Sequence, residues 1–178
     1  MTKNSTVYLI DTSAILSGKP LNIIDSKCIT TPKIAEELSP GGRDYFHFQM
    51  LCEKGLIIMK PSAKSTDQIN IITAKYGEIK RLSAADKELL SLAYEIKQNN
   101  KQIPIIITDD YSIQNIASDL QIKIQSMNQK EITKRFKWGF RCSGCGKLLK
   151  KDVDVCPICG SSIKPIIIKK ETLKNNET

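Results

Sequence analysis

Four cysteines near the end of the chain, Cys142, Cys145, Cys156 and Cys159, stand in the pattern C-x2-C-x10-C-x2-C. No other feature restricts folding so tightly, because four thiolates at this spacing close around one tetrahedral ion, zinc before iron. Gly144, Gly146 and Gly160 supply tight turns that bring backbone amides toward the sulfurs. Too few apolar residues lie between Arg141 and Ser162 to form a core, so bound Zn2+ is expected to supply much of this module's folding energy. Ligation requires reduced thiols. The apolar run at residues 7–10 is shorter than the ~7–15 residues of a signal sequence, and nothing approaches the ~20 of a membrane span. A soluble, cytoplasmic protein with no membrane partner is expected, and there thiols stay reduced. Cys28 and Cys52 lie outside the pattern and read as apolar core fillers.

Length and charge divide the chain in the same place. At roughly 150 residues per domain, 178 residues make one domain and a small appendage. With 40% hydrophobic and 26% charged residues the chain is neither disordered nor fibrous. Residues 1–133 carry 16 basic and 15 acidic side chains, whereas residues 134–178 carry 11 and 4, so nearly all of the net +8 sits with the four cysteines. Lys134, Arg135, Lys137, Arg141, Lys147, Lys150 and Lys151 could track an RNA backbone there. Phe136, Trp138 and Phe140 could stack bases, each stack worth about 1–3 kcal/mol. The same aromatics could equally pack on the metal module, and such ribbons also dock proteins.

The rest of the chain alternates between two kinds of segment. Short apolar runs at 7–10, 28–31, 56–59, 105–107 and 122–124 read as strands. Helices are expected at 33–38, 44–54, 65–76, 83–99 and 111–120, with Phe46, Met50 and Leu51 on one face of the second. The unbroken Ile105-Ile106-Ile107 suits a central strand buried on both faces. This order predicts an α/β architecture with a mostly parallel sheet. The expected divisions are an α/β domain at 1–126, a linker at 127–136, a zinc ribbon at 137–165 and a polar, flexible tail at 166–178.

In such sheets, chemistry gathers beyond the carboxyl ends of the strands. Asp11 follows the first strand and Asp109-Asp110 the Ile-rich one, Glu36-Glu37 fall in a helix, and Asp86 lies in the first turn of the longest helix. Each has a plainer reading: Ser83 with Asp86 fits a capping box, and Asp11 and Asp110 could cap their own helices. If the carboxylates converge, their mutual repulsion calls for cations, and hard oxygen ligands suit Mg2+ or Mn2+. Such a site can hydrolyse phosphodiesters. The one histidine, His47, reads as packing or surface, and no Ser/His/Asp or Cys/His set is evident.

The segments Val7-Tyr8-Leu9-Ile10-Asp11-Thr12-Ser13, Pro32-x-Ile34-x-x-Glu37-Leu38, Leu82-Ser83-x-x-Asp86 and Ile107-Thr108-Asp109-Asp110 resemble, in order and spacing, the motifs of PIN-domain nucleases. The run from Thr108 to Asn115, followed by a four-cysteine ribbon, resembles the archaeal branch of the Nin-one-binding family of ribosome-assembly endoribonucleases. The resemblance covers about residues 6–162 and implies a PIN-like three-layer fold. It selects Glu37 over Glu36 and Asp110 as the last acidic position, with Asp109 an additional carboxylate at the rim.

By the same resemblance, Asp11, Glu37, Asp86 and Asp110 would hold Mg2+ or Mn2+. Activated water would attack in line, leaving a 5′-phosphate and a 3′-hydroxyl. Thr12, Ser13 and Thr108 would orient the carboxylates or touch phosphate. The implied activity is single-strand RNA cleavage that matures the 3′ end of small-subunit (16S) ribosomal RNA within a pre-ribosome. Ribosome-assembly proteins would be further partners, and no DNA is expected. Two other functions stand beside this one. A toxin-type PIN ribonuclease is disfavoured by the attached ribbon, and a non-catalytic RNA-binding assembly factor by the complete acidic set.

Overall fold

The computed structural model describes residues 5–19, 26–76, 82–127, 134–149 and 153–172. In chain order the first part runs β1 (Ser5–Ile10), α1 (Thr12–Leu16), β2 (Lys27–Thr30), α2 (Pro32–Glu37), α3 (Arg43–Glu53), β3 (Ile57–Ile58), α4 (Ala63–Tyr76), α5 (Ala84–Gln98), β4 (Gln102–Ile107), α6 (Tyr111–Asp119) and β5 (Lys123–Gln125). The second part is β6 (Lys134–Cys142), β7 (Leu148–Leu149) and β8 (Ile163–Thr172).

The first five strands form one parallel sheet in the order β3-β2-β1-β4-β5. β1 and β4 occupy its middle because Val7, Leu9, Ile10, Ile106 and Ile107 are wholly buried and need cover on both faces. The chain winds outward from β1 through β2 to β3 on one side and from β4 to β5 on the other. The order therefore reverses between β1 and β4, where an open α/β sheet leaves a crevice at its carboxyl edge. Ile10 pairs with Ile107, and the Asp11 amide donates to the Ile107 carbonyl at 3.2 Å. Asp11 and Thr108 thus leave the sheet side by side.

α5 covers the sheet with Ala85, Leu89, Leu90, Leu92, Ala93 and Ile96. A Ser83–Asp86 capping box starts this helix. On α3 the buried stripe differs from the expected one. Phe48 enters the core with Tyr45, Leu51 and Cys52 packed beside it, while Phe46 and Met50 face outward, Phe46 65% exposed. The i, i+3, i+7 series 45-48-52 lies one position from the face expected. β3 is likewise shorter than expected. It is an edge strand whose Ile57 and Ile58 are exposed, and Leu56 carries the burial.

The second sheet is antiparallel, order β7-β6-β8. β6 starts at Lys134, inside the range expected as linker, and β8 takes in residues 166–172, expected as tail. The apolar Ile166-Ile167-Ile168 explains the second difference, since it supplies a strand that β6 can pair. Ile168 is the extra residue where the register shifts between Lys137 and Trp138. No helix among the described residues is long and apolar enough to cross a membrane.

Candidate active site and cysteine cluster

Asp11 is the most constrained acid of the chain. It caps α1, is only 3% exposed, and its Oδ2 accepts from the hydroxyls of Ser13 and Thr108 at 2.7 Å each. With their hydrogens committed to Asp11, these hydroxyls use lone pairs elsewhere. Ser13 Oγ accepts from the Asp109 amide and Thr108 Oγ1 from the Asp110 amide, both at 3.0 Å. The start of α1 is thereby stitched to the turn after β4. The Ser13 amide and the Ser13 and Thr108 hydroxyls all reach Oδ2. Burial pushes the Asp11 carboxyl above its ordinary value, against the pull of the Ser13 and Thr108 bonds.

Asp86 comes from the first turn of α5, half-buried, and its Oδ2 accepts from the Ser83 amide at 2.7 Å. Burial also pushes its carboxyl up, opposed by the Ser83 bonds and reinforced by the negative charges of Asp11 and Asp110. That reinforcement places Asp11, Asp86 and Asp110 in one electrostatic neighbourhood. Asp110 is exposed and caps α6, accepting from the Ser112 amide at 2.6 Å. The capping reading of these acids is therefore met. Glu37, at the end of α2, accepts from the Thr12 hydroxyl at 2.7 Å, one residue from Asp11. Among the described residues no such tie is found for Glu36; both glutamates are exposed.

Asp109 also ties down the turn after β4. Its Oδ1 accepts from the Ser126 hydroxyl and, at 3.0 Å, from the Met127 amide. It fastens this turn to the chain beyond β5. Gln114 was given no role by the sequence. It is 2% exposed and its Nε2 donates to the Thr108 carbonyl at 2.8 Å, fixing the residue that orients Asp11. A buried amide among Ile113, Ile116 and Ala117 on α6 is the signal that could have found it. His47 donates from Nδ1 to the Ile15 carbonyl, 2.9 Å away, which agrees with a packing role.

In the second sheet, the four Sγ atoms of Cys142, Cys145, Cys156 and Cys159 lie within 4.8 Å of one another. Cys142 and Cys159 are 3.3 Å apart and Cys145 and Cys156 3.7 Å. Tetrahedral zinc at ~2.3 Å from each sulfur would space them about 3.8 Å, so the cluster could hold that ion. Each C-x2-C loop is followed by a glycine at positive φ, Gly146 at 73° and Gly160 at 70°. These glycines donate back to the Cys142 and Cys156 carbonyls at 3.2 and 2.9 Å. Hydrogen bonds from the Ser161 side chain and backbone, with the Cys142 thiol beside it, hold Cys159 down at about 6, whereas Cys145, despite a bond from the Lys147 backbone, is pushed up to about 11 by the thiols of Cys159, Cys142 and Cys156.

The residues expected to touch RNA separate by burial. Arg141 and Lys147 are exposed. Phe140 is 6% exposed and packs within the ribbon, where it pairs with Leu149 and Pro165, so it presents no face for a base. Lys134, Arg135, Phe136, Lys137 and Trp138 lie in β6, but their side chains fall outside the described residues, as do Lys150 and Lys151. Cys28 and Cys52 are partly buried against the main core, as expected.

A parallel sheet with helices, carrying Asp11 at the carboxyl edge of its switch point and followed by a four-cysteine cluster, defines a class of α/β domain. The family model described as the PIN domain of ribonuclease matches residues 8–96. Ribonuclease VapC1 of Thermoplasma acidophilum is 33% identical over 167 residues, 94% of this chain and 81% of that one. Endoribonuclease Nob1 of Archaeoglobus fulgidus is 32% identical over 172 residues, 96% of both chains, and that of Pyrococcus abyssi 31% over 160 residues, 89% and 92%. The chain belongs to the PIN-domain endoribonucleases. Members of that family act on RNA with divalent metal ions.

Proposed function

We propose that the chain is a divalent-metal-dependent endoribonuclease that matures the 3′ end of small-subunit (16S) ribosomal RNA within a pre-ribosome in the cytoplasm. The observation that carries this reading is collinearity. The match to the Archaeoglobus Nob1 chain spans 96% of both proteins and so takes in the acidic pocket and the cysteine cluster together. Asp11, Glu37, Asp86 and Asp110 would hold Mg2+ or Mn2+, and the cysteine cluster would hold a structural Zn2+. The catalytic cation would supply Lewis acidity and lower the pKa of water. The chain's own residues do the positioning. Ser13 and Thr108 fix the Asp11 carboxylate, Thr12 fixes Glu37, and the Ser83 box fixes Asp86. Arg141 and Lys147 are exposed cations able to meet phosphates.

A toxin-type ribonuclease is the second reading, favoured by the VapC1 match. Because that match spans 167 of 178 residues, it includes the cysteine region wherever it begins. The ribbon therefore does not separate the two readings as the sequence had led one to expect. Incubation of the zinc-loaded chain and Mn2+ with a precursor 16S RNA, a transfer RNA and a messenger RNA separates them. One cut at the mature 16S 3′ end, with the others intact, is the expected result. Cleavage of transfer or messenger RNA with the precursor intact would overturn it in favour of the toxin-type reading. Binding of the precursor without cleavage would favour a non-catalytic assembly factor.

A further inference from the structure

Glu88 is a buried carboxylate outside the acidic pocket, 7% exposed on the second turn of α5. Its Oε2 accepts from the Lys33 amide at 2.9 Å. Lys33 is the second residue of α2, and Pro32 before it has no amide hydrogen, so this is the first donor that α2 must satisfy. A helix commonly satisfies it from its own capping residue. Here that residue is Thr31, whose hydroxyl makes no capping bond and is buried with no partner among the described residues. The bond has been handed from the local threonine to a carboxylate on another helix.

The consequence lies one turn further on. α2 has six residues, too few to hold its own position in water. Glu88 fixes its first turn to α5, and at its last residue Glu37 meets Thr12 beside Asp11. α5 also carries Asp86, two residues before Glu88. We infer that Glu88 is a positioning residue that fixes α2 against α5, so that Glu37 stands in register with Asp11 and Asp86 and the pocket binds its divalent cation tightly. The inference rests on the reading of Glu37 as a ligand given above.

The test uses the full zinc-loaded chain with Mn2+ alone as probe. Three substitutions separate geometry from charge: Glu88→Met removes the acceptor, Glu88→Asp keeps the charge but withdraws it by one methylene, and Glu88→Gln keeps a neutral acceptor. Exchange of the Lys33 amide, followed without Mn2+, should be slow in the wild type and Glu88→Gln and at least tenfold faster in Glu88→Met and Glu88→Asp. Calorimetric titration should show Mn2+ affinity falling about tenfold in those two variants, the low end for loss of an outer partner of a metal ligand. It should stay near the wild-type value in Glu88→Gln. If Glu88→Met does not fold, Glu88→Asp carries the same comparison. Unchanged Lys33 exchange in the variants, or faster exchange with unchanged Mn2+ affinity while Glu37→Gln weakens it, would overturn the inference. Should Glu37→Gln itself leave Mn2+ affinity unchanged, Glu37 is no ligand, and the inference falls with that reading.

Discussion

Asp11 and Asp86 both carry carboxyls raised by burial, and in Asp86 the charges of Asp11 and Asp110 add to it. A carboxyl raised in the folded state aids folding while protonated. That contribution is full below the unfolded pKa and is lost as pH rises through the folded one. At neutral pH the cation-free protein therefore holds these charges at a cost, which a bound cation would relieve. Asp11→Asn should raise the melting temperature of the cation-free protein at neutral pH, by about 2–4 °C per kcal/mol relieved. The gap should close toward about pH 4, where the wild-type acid is also neutral. Mn2+ should stabilise the wild type and not the variant. A variant no more stable than wild type at neutral pH would contradict the account. Thr31 offers a second residue-scale check. Replacing its buried, unpartnered hydroxyl by a methyl in Thr31→Val should stabilise the chain by about 1–3 kcal/mol, read from the urea midpoint. Destabilisation would mean that the hydroxyl has a partner in solution.

Elements show where the sequence was informative. The strands at the switch point were legible because Val7, Leu9, Ile10 and Ile105-Ile106-Ile107 leave no other way to bury so much apolar surface in so few residues. The placement of Asp11 and Asp110 was legible for a related reason: they lie one and three residues beyond paired parallel strands, which brings them to one edge of the sheet. The α3 stripe was not legible. Tyr45, Phe46, Phe48, Met50, Leu51 and Cys52 offer two overlapping helical faces, and only tertiary packing chooses between them. Nor was the role of Glu88, because a carboxylate that caps a different helix leaves no local pattern. β8 was misread for its lysines, although Ile166-Ile167-Ile168 carried the strand signal. At its bulge, a Cβ on Gly139 would lie 2.2 Å from Ile168 Cδ1. Ile168 is 50% exposed and Cδ1 is the free end of its side chain, so Gly139→Ala should cost under about 1 kcal/mol. Gly139→Ala with Ile168→Ala should recover most of it in a double-mutant cycle of urea midpoints. No recovery would show that the strain lies elsewhere.

At the scale of the whole molecule, a parallel-sheet module carries the acidic residues and a basic module carries the cysteine cluster. Among the described residues of the ribbon, Phe140, Cys142 and Cys156 are the buried apolar side chains, the two cysteines in the cluster itself, so a metal should hold it together. Chelation of zinc from the full chain should release the hydrogen-bonded amides of Cys142, Cys156 and Gly160 to exchange. Those of Asp11 and Thr108 in the parallel sheet should stay protected. Ribbon amides that remain protected would refute the structural role of the metal. Four thiolates and one Zn2+ would lower the charge of residues 134–178 from +7 to about +5, still the basic part of the molecule. The central claim is that Asp11, Glu37, Asp86 and Asp110 act as one cation-holding catalytic unit. Its most direct test is single-turnover cleavage of precursor 16S RNA with saturating Mn2+, comparing wild type with Asp11→Asn, Glu37→Gln, Asp86→Asn and Asp110→Asn. Each rate should fall by more than the roughly 10–100-fold of an outer-partner change, and Asp11→Asn with Asp86→Asn should be little worse than either alone. Wild-type cleavage by Asp11→Asn would contradict the account.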